Sequence, residues 1–118
     1  MRTLYASDRA FTVWTYTVSR TRLLLRSTGG AGHDTRIDVM FAGVEQLLLA
    51  PAYQGLTIGE ADDAEVAAHR ARHGDLGGTL YLLGDGLDSF VVAGFVQWHE
   101  DVRGPHDRSF FGHFPGSS

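Results

Sequence analysis

Hydrophobic and polar positions alternate with period two over two adjoining segments, Phe11 to Val18 and Thr21 to Ser27. Successive strand side chains point to opposite faces, so the faces can be sorted residue by residue. In the first segment Trp14, Tyr16 and Val18 share one face, and Val13, Thr15 and Thr17 the other. In the second, Leu23 and Leu25 oppose Arg22, Leu24 and Arg26. A two- or four-residue turn around Ser19-Arg20 pairs Thr17 with Arg22, Tyr16 with Leu23, Trp14 with Leu25 and Val13 with Arg26. This register keeps apolar residues together. Ser-Arg is a poor two-residue turn, which favours the four-residue form. One face of the hairpin is then aromatic and aliphatic, the other basic and hydroxylic, as in a sheet with one solvated side.

The alternation returns from Thr35 to Phe41, with Ile37, Val39 and Phe41 inward and Arg36 and Asp38 outward. A turn at Gly43-Val44-Glu45 sets Phe41 opposite Leu47 and Val39 opposite Leu49, and Pro51 ends that strand. Gly55 to Ile58 reads as a further short strand. Asp62 to His73 is the one helix. Asp62 and Glu65 form a capping box, Gly74 marks the stop, and Arg70, Arg72 and His73 complement the dipole. Ala64, Ala67, Ala68 and Ala71 form a stripe expected to lie on the sheet. Gly78 to Leu83 and Ser89 to Trp98 read as a second hairpin around Gly84-Asp85-Gly86. Its last strand is apolar on both faces, the mark of a doubly covered strand or a subunit interface.

These elements predict an α+β domain of mainly antiparallel strands. Six or seven strands form a strongly bent sheet or partly open barrel, covered by the helix Asp62-His73. Residues 1–103 form a single domain and 104–118 an aromatic-containing C-terminal tail. At 118 residues the chain is one domain, large enough for a core without staples. It has no cysteine, which excludes disulfides, thiolate catalysis and cysteine-ligated metal. Met1 to Ala10 lacks the apolar run of a signal peptide, and no apolar stretch is long enough to span a bilayer. A cytoplasmic location without membrane contact is expected. The net charge of −4 argues against nucleic acid as a partner. All ten basic residues are arginine, which points to the base composition of the source gene rather than to mechanism.

The candidate chemistry is sparse. Glu65, His69 and His73 are spaced four apart on one helix face, as helical zinc ligands are. That face lies opposite the alanine stripe and should be solvated, and a further ligand such as His33 or His99 would be needed. No metal and no cofactor is therefore assigned. Arg20, Arg22 and Arg26 form a basic patch on the outer hairpin face, read as solvated charges that discourage edge aggregation. Gly30-Ala31-Gly32-His33-Asp34 has the composition of a phosphate loop but precedes a strand instead of a helix. His99-Glu100-Asp101 offers a base and carboxylates, yet adjacent strand residues diverge. No catalytic residue is assigned.

Two surfaces remain. Trp14, Tyr16 and Trp98 could line an aromatic ligand pocket. Phe95, Phe110, Phe111 and Phe114 could form an interface, the tail phenylalanines either folding back over an open sheet face or docking on another subunit. The string Phe11-x-Val13-Trp14-x-Tyr16-x-Val18-Ser19, with Leu23-Leu24-Leu25-Arg26-Ser27 and Ile37-Asp38-Val39-x-Phe41-x-Gly43-Val44, resembles small uncharacterised bacterial β-rich proteins. Some of these are immunity proteins or accessory partners of toxins. The resemblance covers about the first 45 residues and implies a binding or assembly role. The expected function is a non-enzymatic protein-binding module, self-associating as a homodimer. The alternative is a small-ligand barrel or enzyme with the aromatic-lined pocket.

Overall fold

A computed structural model describes residues 1–18, 21–28, 34–84, 88–104 and 106–112. The chain runs through β1 (Arg2–Thr17), β2 (Arg22–Ser27), β3 (Arg36–Ala42), β4 (Gln46–Leu48) and β5 (Ala52–Glu60). It continues through α1 (Asp63–His73), β6 (Thr79–Leu83), β7 (Phe90–Ala93) and β8 (Phe95–Asp101). The strands form one sheet in the order β4-β7-β6-β5-β1-β2-β3-β8, with every pairing antiparallel. The mainly antiparallel architecture with one helix is the one that the alternation predicts. Two details differ. Among the described residues there are eight strands instead of six or seven, and their ladder is not closed into a barrel, because β4 and β8 are its two ends.

The higher count comes from two breaks that face each other. Gly43, at φ +67°, separates β3 from β4, and Gly94 separates β7 from β8. The Gly94 N–H donates to the Ala42 carbonyl at 2.8 Å, and the Glu45 N–H to the Val92 carbonyl at 2.9 Å. The expected hairpin across Gly43-Val44-Glu45 is therefore absent. Phe41 faces Leu23 and Val96 instead of Leu47, and Val39 faces Leu25 and Trp98 instead of Leu49. Strands β3 and β4 pair with β8 and β7, not with each other.

This crossing also bends the sheet. Ala42 and Gln46 are four residues apart, so their Cα atoms are at most about 15 Å apart. In a flat sheet the places of β3 and β4 in the order would be separated by about 29 Å. The sheet must curl to bring them within reach.

The first hairpin keeps its expected register near the turn, with Thr17 opposite Arg22 and Tyr16 opposite Leu23. The turn residues Ser19-Arg20 lie outside the described residues. A bulge then intervenes at Trp14, so Val13 faces Leu25 and Thr12 faces Arg26. The expected pairing of Trp14 with Leu25 is thus replaced. Val13 packs on the main core, while Trp14 turns to the outer face against Leu24 and Met40. Strand β1 begins at Arg2 rather than Phe11, and its first half pairs with β5.

The main core lies on the concave face, around Phe11, Leu23, Leu25, Val39, Phe41, Ile58 and Val91. A second cluster, Leu80, Leu82, Phe90 and Val92, sits beneath α1. A third, Leu24 and Met40, is covered by Trp14 and Phe111. No helix among the described residues is long and apolar enough to cross a membrane.

Candidate functional site

Helix α1 starts as its sequence predicts. The Asp62 side chain accepts the Glu65 N–H at 2.8 Å, and Glu65 accepts the Asp62 N–H at 2.9 Å. Ala61 and Val66 flank this cap and pack together on the second cluster, a hydrophobic staple. The helix is rotated from expectation. Ala64, Ala67, Ala68 and Ala71 are exposed, and His69 is 1 % exposed. Alanine methyls offer little area to bury. Val66 and the His69 ring offer more, and Phe90 receives the imidazole edge-on with centroids 4.5 Å apart.

The buried ring is satisfied by Gln46, whose Oε1 lies 2.9 Å from His69 Nε2. The His73 ring is 4.5 Å away. Among the described residues no three His, Asp or Glu side chains gather as metal ligands. His33 lies outside the described residues. Burial, with the charge of His73 second, holds the His69 pKa below its ordinary 6.5. The groups facing it are His73, Arg72 and Asp88 around a small recess, together with Gln46.

The folded chain thus favours neutral His69, while the unfolded chain takes up the proton near pH 6.5. Stability from this residue is full above about pH 6.5 and is lost as pH falls below it. Urea midpoints measured from pH 7.5 to 5 should fall more steeply in the wild type than in His69→Gln. The difference is at most about 1.4 kcal/mol per pH unit, the limit for one proton. Identical slopes would contradict a buried neutral imidazole.

The outer face of β1, β2, β3 and β8 holds what the alternation does not foretell. Arg26, Arg36 and Asp38 point outward as expected, yet they are 2 %, 1 % and 2 % exposed. Arg26 donates to Asp38 through Nε at 2.7 Å and Nη2 at 3.1 Å. Its guanidinium also lies 4.8 Å from the centre of the Trp14 ring. Arg36 donates to the backbone carbonyls of Gly104, Asp107 and Arg108 at 3.1, 2.7 and 3.0 Å. On the opposite, core-bearing face, Arg9 is held separately by bonds to Ser27, Thr28 and Thr35. The segment after β8 therefore folds back as a cover, pinned by Arg36 and by the bond from Arg22 to the Phe111 carbonyl. This overturns the reading of Arg22 and Arg26 as a solvated basic patch. Arg20 lies outside the described residues.

The expected interface residues divide. Phe111 packs into the third cluster as part of the cover. Phe110 is 57 % exposed and stacks on His99 with centroids 3.7 Å apart. Phe95 and Trp98 on β8 are 48 % and 42 % exposed. Phe114 lies outside the described residues. Strand β8 is an end of the sheet, with β3 as its one ladder neighbour among the described residues.

The three aromatics expected to share a pocket are apart. Trp14 is on the outer face, Trp98 lies beside Tyr5 at 5.0 Å, and Tyr16 lines a cleft with β4. In the His99-Glu100-Asp101 run the outer residues share a face, with His99 Nε2 3.7 Å from Asp101 Oδ2. Glu100 points away and accepts the Thr35 hydroxyl at 2.6 Å. Asp101 also meets Arg36 and Arg103 at 3.4 and 3.5 Å, which ties it to the cover. Of the glycine-rich run 30–34, residues 30–33 lie outside the described residues, and Asp34 is exposed.

Arg26, Arg36 and Asp38 escape a reading that equates outward with solvated. Their signal is the charge match of Arg26 with Asp38 on neighbouring strands, beside an aromatic tail able to cover them. Comparison with protein-family models, with curated proteins and with solved structures finds no match to this chain.

Proposed function

We propose that the protein is a non-enzymatic assembly module that self-associates as a homodimer through β8. The observation that carries this reading is a seven-residue end strand with Phe95, Trp98 and the neighbouring Phe110 all about half exposed. A long end strand with exposed aromatic side chains is a template for pairing with another chain. The opposite end, β4, has three residues, and short length is one way in which edges are protected.

A second copy is the occupant that the strand's own charge pattern favours. Antiparallel pairing about a two-fold axis at Trp98 sets Phe95 opposite Asp101 and Val96 opposite Glu100. Each acidic end then meets an apolar end, and like charges are kept apart. A parallel pairing would set Glu100 against Glu100 at a cost in repulsion. Closed two-fold symmetry also ends the association at two chains. A resemblance of about the first 45 residues to small uncharacterised bacterial β-rich proteins, a type that includes some immunity and accessory proteins, would suit a protein partner as well.

Cysteine placement tests the register, because the chain has no cysteine of its own. Trp98→Cys sits on the proposed axis, where paired Cα atoms come within disulfide range. Mild oxidation should give a covalent dimer at micromolar protein. Ala68→Cys, on the exposed face of α1, should stay monomeric on denaturing gels. Equal yields from both, or none from Trp98→Cys, would contradict the proposed pairing.

A further inference from the structure

The bent sheet leaves a cleft of about 730 Å³ at the end nearest the first hairpin. Val13 and Tyr16 of β1, Leu23 of β2, and Val44, Leu47 and Leu49 around β4 line it. Leu23 and Val44 are buried members of the main core, and Val13 and Leu49 pack against it. The floor is therefore the core itself, set by strand packing before any ligand arrives. The volume falls within the range of small-molecule sites, which also favour such mouths of rolled sheets.

The rim decides the chemistry. Glu45 and Gln46 border the cleft, but both side chains are engaged elsewhere. The Glu45 Oε1 accepts the Gly77 N–H at 2.7 Å, and Gln46 Oε1 is held at 2.9 Å from His69 Nε2. The polar side chains left on the wall are the hydroxyls of Thr12 and Tyr16. An anionic ligand would lose its hydration there without gaining a counter-charge and would meet the Glu45 carboxylate, while a cation would find that one carboxylate at the rim already bonded to the Gly77 N–H. An apolar ligand gains burial against Val13, Leu23, Val44 and Leu49.

We infer that this cleft is a binding site for a neutral, largely apolar small molecule. Three separate chain segments, within 12–16, at 23 and within 44–51, line it, which suits a compact ligand better than an extended peptide. It shares no residue with the β8 surface, so it stands independently of self-association.

The test titrates the full chain with N-phenyl-1-naphthylamine, a neutral apolar fluorophore. Saturable enhancement at one site per chain is expected. The anionic 8-anilino-1-naphthalenesulfonate should bind at least about tenfold more weakly, since the wall offers it no counter-charge. Leu47→Trp fills the mouth from its half-exposed rim position and should weaken binding of the neutral dye by about tenfold or more. Ala68→Trp, a surface change on α1, should leave binding unaltered, and circular dichroism should be native for both variants. Uptake without saturation, tighter binding of the anionic dye, or unchanged affinity in a folded Leu47→Trp would each overturn the inference.

Discussion

Replacing Asp38 with alanine should destabilise the protein by about 3–5 kcal/mol, the range found when one partner of a buried ion pair is removed. Asp38 lies between two buried guanidiniums, bonded to Arg26 at 2.7 and 3.1 Å and 3.8 Å from Arg36. Alanine removes the carboxylate and leaves both cations under the cover formed by the segment after β8. Arg36 keeps Asp101 and its three carbonyls, so Arg26 bears most of the loss. Removing both members behaves differently. Arg26→Met with Asp38→Leu exchanges the pair for apolar groups of similar size and should recover most of the single-mutant loss. Urea unfolding of the three proteins gives the comparison. A loss below about 1 kcal/mol for Asp38→Ala would match a solvated surface pair. It would mean that the cover over this face is open in solution.

The second large effect is expected at Phe41. Its ring is fully buried, sits 5.6 Å from Tyr81, and stands between Leu23 and Val96 in the ladder. Tyr81 belongs to β6, so Phe41 packs the two halves of the bent sheet together across its concave face. Phe41→Ala should cost about 3–5 kcal/mol through lost burial and the cavity left behind. Phe41→Leu, which keeps most of the volume, should cost much less. Urea midpoints distinguish the two. Equal and small losses would indicate that the sheet is open where β3 faces β6. Against a typical total of about 5–15 kcal/mol, either alanine variant removes a large share of the stability.

Local chemistry was legible in the sequence, and long-range placement was not. The capping box at Asp62 and Glu65 forms as the sequence implies. So does the pairing of Thr17 with Arg22, because both are set within a few residues. The helix face was misread because alanine periodicity says nothing of what lies beneath it. Phe90 and Gln46, distant in sequence, make His69 the better residue to bury. The strand break at Gly43 was misread for a similar reason. A glycine turn between two apolar runs looks like a hairpin, and only the facing break at Gly94 reveals that the two runs pair with β8 and β7 instead of with each other.

The outer face teaches the same lesson about charge. Alternation places Arg26 and Asp38 on one side correctly, but solvation depends on whether the tail returns. The tail's phenylalanines carried that information only in part. Phe111 closes the cover, while Phe110 stays half exposed next to β8. The ligand cleft had one sequence signal, Tyr16, placed on the inner face by its register opposite Leu23. Its other walls depend on the crossing from β3 to β4.

Self-association through β8 is the central functional claim, and the mass of the unmodified protein in solution tests it most directly. Sedimentation equilibrium over a range of protein concentrations at neutral pH should give twice the chain mass, with no larger species. A single-chain mass maintained to the highest concentration would contradict the account.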